Sequence, residues 1–137
     1  MSMIQAVRDY LLTCPLMEGN LIHVDALGGK PTEYAVIPVP GDRKKKEYLD
    51  GGSDREYPFL IQSVLSTADE LERIENSGVY EALADWLEEQ TEAGNLPTLS
   101  AGKTAESIEA VSWGFVYEQG ESATGIYQIT CKLAYVQ

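Results

Sequence analysis

Residues that commonly carry chemistry are scarce in this chain: it has one histidine, His23, and two cysteines, Cys14 and Cys131, among 137 residues. No Cys-x-x-Cys spacing occurs, and no His, Cys and Asp cluster surrounds His23, which excludes the common zinc and dithiol patterns. His23 is therefore read as a surface or hydrogen-bonded structural residue, and both thiols as reduced, small hydrophobes. The sequence also lacks G-x-x-x-x-G-K-[ST], G-x-G-x-x-G after a strand, G-x-S-x-G and H-E-x-x-H. Gly28-Gly29-Lys30 has a phosphate loop's lysine but neither its leading glycine nor a hydroxyl residue after it, and Pro31 follows. Adjacent carboxylates such as Glu88 and Glu89 diverge on a helix, whereas an acid–base pair must face one substrate. The expectation is a protein with no catalytic site, no metal and no cofactor. No hydrophobic run is long enough for a membrane span, and Met1-Ser2-Met3 leads into an amphipathic pattern rather than a signal peptide, so cytoplasmic synthesis is expected.

Basic residues are few: 10 against 22 acidic ones, for a net charge of -12. Such a balance disfavours general binding to nucleic acid or anionic lipid, which requires a surplus of cations. The charges are also segregated. From Asp69 to Glu92 there are nine acidic residues and one basic, Arg73, so this stretch alone contributes -8. Four basic residues, Arg43, Lys44, Lys45 and Lys46, are consecutive. A positive tip and a negative helix on one molecule suggest head-to-tail contact between copies.

With 44% hydrophobic and 23% charged residues, 137 residues make one globular domain, 1–137, with one core. Ile4, Val7, Leu11 and Cys14 recur at helical spacing, Ser2 and Gln5 have the form of a capping box, and Pro15 ends the run, predicting a helix from about residue 3 to about residue 13. Leu21–Leu27 and Tyr34–Val39 read as a hairpin across Gly28-Gly29-Lys30-Pro31, with Pro38 and Pro40 putting the second strand's end at an edge or a bend. Gly41–Asp54 is polar and glycine-punctuated and reads as a long flexible loop. Tyr57–Leu65 has apolar residues on both faces, as a central strand does. Thr67 and Glu70 form a second capping box, after which Leu71, Ile74, Val79, Leu83, Trp86 and Leu87 make an apolar stripe. Asn76-Ser77-Gly78 should kink this helix or divide it in two, and Gly94-Asn95 with Pro97 should stop it.

After a loop from Thr98 to Glu106, Val111, Trp113, Phe115 and Tyr117 alternate on one face of a strand. Tyr127, Ile129, Cys131, Leu133 and Tyr135 alternate on one face of the next, and the two should pair as a hairpin. The expected fold is α+β: a mostly antiparallel sheet of about five strands in the order α-β-β-β-α-β-β, with two main helices on one face.

Asp50-Gly51, Arg55, Tyr57 and Phe59 form a D-G-x-x-x-R-x-Y-x-F segment. Asn76-Ser77, Asp85-Trp86-Leu87, Leu96-Pro97 and the strands between Val111 and Val136 follow it in order. Across nearly the whole chain, this arrangement resembles the small tail terminator (minor tail or minor capsid) proteins of siphophages and prophages of Gram-positive bacteria. Pro58, inside the aromatic strand, departs from the pattern and bears on whether that strand is central or at an edge. The resemblance implies a structural virion protein, similar to the lambda-type terminator: a hexameric ring that caps the tail tube, stops its polymerisation and contributes to head–tail joining. Implied partners are further copies of itself, the tail tube protein and a head-completion protein, with DNA only passing through the ring. Candidate subunit or partner contacts are Arg43, Lys44, Lys45, Lys46, Asp50, Arg55, Glu88 and Glu89. The alternatives are another connector or tail-completion protein, or a small non-catalytic binding module, since fold alone does not fix function.

Overall fold

A computed structural model describes residues 2–17, 22–24, 34–39, 44–47, 49, 51–66, 70–112, 114–119 and 124–137. The first helix, α1, spans Met3–Leu11. Ser2 caps it, its hydroxyl accepting from the Gln5 N–H at 3.2 Å, and the buried Ala6, Val7 and Leu11 form its inner face. It ends two residues before the expected position, and Pro15–Met17 form a single 3₁₀ turn.

The second helix, α2, is one continuous element, Glu70–Ala93. Asn76-Ser77-Gly78 does not divide it. A glycine inside a helix costs about 1 kcal/mol, less than the burial of Tyr80, Leu83 and Leu87 in the following turns contributes. The helix stops at Gly94, whose φ of 79° is open to glycine at no steric cost. There the Asn95 N–H bonds the Gln90 carbonyl (2.9 Å) and the Gly94 N–H bonds that of Thr91 (3.2 Å), the two bonds of a Schellman motif. Thr67, the proposed cap of α2, lies outside the described residues.

Among the described residues seven strands form one sheet: β1 (Ile22–Val24), β2 (Tyr34–Pro38), β3 (Lys44–Glu47), β4 (Ser53–Ser66), β5 (Thr104–Ala110), β6 (Phe115–Gln119) and β7 (Thr124–Val136). The main path is β1-β2-β4-β7-β5, within which each neighbouring pair of β2, β4, β7 and β5 is antiparallel. The fold is thus α+β with two main helices, but the expected count of about five strands and the order α-β-β-β-α-β-β are incorrect. Seven strands arise because two positions in the sheet are each filled by two short strands. β2 and β3 lie end to end along one side of β4, and β5 and β6 lie end to end along the outer side of β7. The segment read as a loop from Gly41 to Asp54 contains β3 and the start of β4, and the one read as a loop from Thr98 to Glu106 contains the start of β5.

One pairing and the extent of one strand also differ from expectation, while β6 and β7 pair antiparallel as expected. β1 and β2 run parallel, Ile22 opposite Tyr34 and Val24 opposite Val36, so they are not a hairpin. The expected strand through Val111–Tyr117 breaks between β5 and β6. The Val111 N–H still bonds the Thr130 carbonyl (2.8 Å), but the Ser112 hydroxyl replaces a backbone acceptor for the Thr130 N–H (3.1 Å). At the break Gly114 lets Tyr80 of α2 pack against the main chain, where a Cβ would overlap the Tyr80 Cβ and Cγ. Trp113 lies outside the described residues.

β4 and β7 are the long central pair, in register from Asp54 opposite Val136 to Ser66 opposite Thr124. Pro58 is therefore in a central strand. Val39 donates its N–H to the Pro58 carbonyl at 3.1 Å, so the main-chain edge of Pro58 faces β2. The donor that proline lacks points to where β2 ends and before β3 begins, so no ladder bond is lost from the continuous β4–β7 pair.

Odd-numbered residues of β4 and β7 face the helices: Phe59, Ile61 and Ser63 on one strand, Tyr127, Ile129, Cys131, Leu133 and Tyr135 on the other, all buried. Phe59, Ile61, Tyr127, Ile129, Cys131 and Leu133 join Val7 and Leu11 of α1 and Tyr80, Leu83 and Leu87 of α2 in a single core, so both helices cover the same face. Cys14 and Cys131 are buried, and neither is in a disulfide. The buried Ser63 hydroxyl donates to the Tyr80 oxygen, since the single Tyr80 proton goes to the Tyr127 carbonyl at 3.3 Å. Across the other face, Gln62 donates to Gln128 (2.9 Å), and Lys132 bridges Glu56 (3.3 Å) and Glu109 (3.4 Å).

Candidate subunit interface

At one end of the sheet the order across is β3-β4-β7-β5, with Lys44 opposite Arg55, Arg55 opposite Tyr135 and Tyr135 opposite Ala105. The lysine strand therefore forms one edge. The other edge is β5, and α2 packs along it. There the Thr91 hydroxyl donates to the Ile108 carbonyl (2.7 Å) and accepts from the Ile108 N–H (3.1 Å). One helical side chain satisfies both edge groups of that strand residue. An edge strand otherwise presents such groups to any passing chain.

The exposed side of α2 carries Glu81, Asp85, Glu88, Glu89 and Glu92. The lysine strand and the acidic helix thus lie on opposite edges of the sheet, with β4 and β7 between them. The eight proposed contact residues do not form one patch. Lys44, Lys45 and Lys46 are on β3 and Arg55 is beside Lys44 on β4, where its Nε–H donates to the Ser53 hydroxyl at 2.9 Å. Glu88 and Glu89 are on the far edge, and Arg43 and Asp50 lie outside the described residues.

Two clefts flank α2. One, of about 410 Å³, is bounded by Asp85 and Glu88 of α2 and by Glu109, Val111 and Ser112 where the edge strand breaks. Val111 is 51% exposed beside it. Asp85, Glu109 and Val111 were not expected to share a site. The available signal was Gly114, since a glycine inside a strand pattern marks a break or a close backbone approach. The second cleft, about 600 Å³, lies between α1 and the end of α2. Tyr10 and Trp86 meet along it with ring centroids 5.5 Å apart, and the Tyr10 hydroxyl donates to the Asn95 carbonyl at 2.6 Å.

Burial dominates the acid–base behaviour. It pushes the Tyr10 phenol up to about 12, with a further contribution from the Cys14 thiol. It also raises Tyr34, Tyr80 and the Cys131 thiol. Lys132 is raised by its hydrogen bond to, and the charge of, Glu56, with Glu109 adding to both. Among the described residues no three His, Cys, Asp or Glu side chains are grouped to hold a metal, and no helix is long and apolar enough to cross a membrane. His23 is opposite Ala35 in the β1–β2 register. No protein-family model matches this chain, and no curated protein is significantly similar to it.

Proposed function

We propose that this protein is a structural component of a phage virion, a tail terminator that assembles as a ring on the end of the tail tube. The observation that carries this reading is the separation of charge between the two sheet edges. A contact that joins one patch to a different patch on the next copy repeats around an axis, and closes into a ring where the rotation between copies divides a full turn. A lysine edge and an acidic, helix-covered edge on opposite sides of one sheet suit such a contact. The order of the D-G-x-x-x-R-x-Y-x-F segment, the Trp86 helix and the last strands supports the family resemblance. In this reading the ring has six copies, stops tube polymerisation, and meets the tail tube protein on one side and a head-completion protein on the other. DNA passes through without being bound, in keeping with the net charge of -12. The chain has no catalytic role and acts in the virion after assembly in the host cytoplasm. The alternative within the same class is another head–tail connector or tail-completion protein.

A second reading, a small non-catalytic binding module, is favoured by the Tyr10–Trp86 cleft, whose size suits a small ligand. Solution mass separates the two. Light scattering over a concentration series, negative-stain imaging and addition to purified tail tubes should yield annular particles and capped tubes. A monomer at all concentrations that leaves tubes uncapped would overturn the terminator reading.

A further inference from the structure

We propose that the acidic cleft at the break between β5 and β6 is the docking site for the lysine strand, β3, of a second copy of this chain. The inference deepens the ring reading by naming its contact, and rests on that reading for the sense of assembly, head to tail.

The cleft offers more than carboxylates. Main-chain groups alternate along a strand, and Thr91 marks Ile108 as outward-facing, while the Val111 N–H points inward to Thr130. Between them, Ala110 therefore turns its N–H and C=O outward, into the cleft. Thr91 covers the edge at Ile108, and the edge opens at Ala110, two residues further along. An extended segment fits this opening, and the exposed Val111 supplies apolar contact beside it.

The charges select which segment. Asp85 and Glu88 make no ion pair among the described residues, while Glu109 is shared with Lys132. The matching segment of this chain is β3, with three consecutive lysines and Arg55 opposite Lys44 in the register. A chain's own β3 cannot reach its own cleft. β4 and β7 intervene, and strands lie about 4.8 Å apart, so the two edges are separated by about 14 Å. The lysines must come from a neighbour, and the contact must be heterologous.

The test is a charge swap. One variant carries Asp85→Lys and Glu88→Lys; the other carries Lys44→Glu, Lys45→Glu and Lys46→Glu. Circular dichroism verifies that each remains folded, and light scattering at low salt gives the mass. The wild type should self-associate, and each variant alone should do so more than about a hundredfold more weakly, because like charges then face each other. An equimolar mixture of the two should recover assembly, since every reversed cleft then meets a reversed strand. A wild type that stays monomeric at millimolar concentration, or variants that assemble like the wild type, would overturn the docking site, as would a mixture that fails to recover. Rings that persist in both variants would reject this contact yet keep the terminator reading. Recovery in the mixture of variants, together with a wild type that self-associates but never caps tail tubes, would do the reverse.

Discussion

Replacing Thr91 by valine tests how the edge of β5 is protected. Valine keeps the β-branched shape and a similar helix propensity, and removes only the hydroxyl that serves both main-chain groups of Ile108. Each lost hydrogen bond costs about 1 kcal/mol net, and a buried group left unpaired costs about 1–3 kcal/mol. The site is part-buried, so water reaches it in the variant and the lower figure applies to each bond. Two bonds come to about 2 kcal/mol, and the added methyl returns about 0.4 kcal/mol at half burial. The net loss is about 1.6 kcal/mol. For 137 residues the unfolding entropy is about 0.29 kcal/mol/K, so the midpoint should fall by about 5–6 °C. Urea and thermal unfolding followed by circular dichroism would measure both. Thr91→Ser keeps the hydroxyl and should lose less than half as much. The reasoning fails if Thr91→Val unfolds within about 0.5 kcal/mol of the parent, or if Thr91→Ser falls as far as Thr91→Val.

Gly114→Ala places a Cβ against Tyr80 and should cost about 2 kcal/mol or more in urea unfolding, with Gly78→Ala, which meets open space, as the stabilising counterpart. Tyr80→Phe leaves the buried Ser63 hydroxyl without its acceptor and should cost about 1–3 kcal/mol; Tyr80→Phe combined with Ser63→Ala should recover part of that in a double-mutant cycle. Stability should be full below the ordinary ranges of the Cys131 thiol and the buried tyrosines. Their folded values are raised, so it should decline above about pH 9–10, and the Tyr10 share should be lost as pH rises through about 12. Tyrosinate absorbance in step with the loss of near-ultraviolet circular dichroism checks this; full ionisation near pH 10 with the fold intact would contradict it.

Local patterns with one strong cause were legible in the sequence. The Ser2 cap, the Gly94 stop and the alternation from Tyr127 to Tyr135 each depend on residues close together in the chain, and each occurs where expected. Features decided by tertiary contact were not. Nothing local distinguishes a parallel β1–β2 pair from a hairpin, and Gly78 was outweighed by the helix–sheet core. A strand of three lysines has poor intrinsic preference for a sheet and is defined by its partner β4. Of the interface residues, the two charge blocks were evident from composition alone. Their placement on opposite edges required the pairing order, because β3 and α2 are neighbours in sequence, separated only by β4, but not across the sheet.

The central β4–β7 pair also has a kinetic meaning. Every pairing along it joins residues more than 50 positions apart, from Ser66 with Thr124 outward to Asp54 with Val136, and α2 lies in the intervening chain. β4, β5 and β6 all pair with β7, the last element in chain order, so half of the sheet cannot form until that strand is present. Closing so long a loop must precede the contacts that reward it, which places this domain among slow-folding topologies despite its helices. On a ribosome, α1 and α2 can emerge as local structure long before the strand that organises them. In that interval the apolar side of α2 lacks the β5–β7 part of the sheet, and the chain depends on its dense negative charge to stay apart from its neighbours.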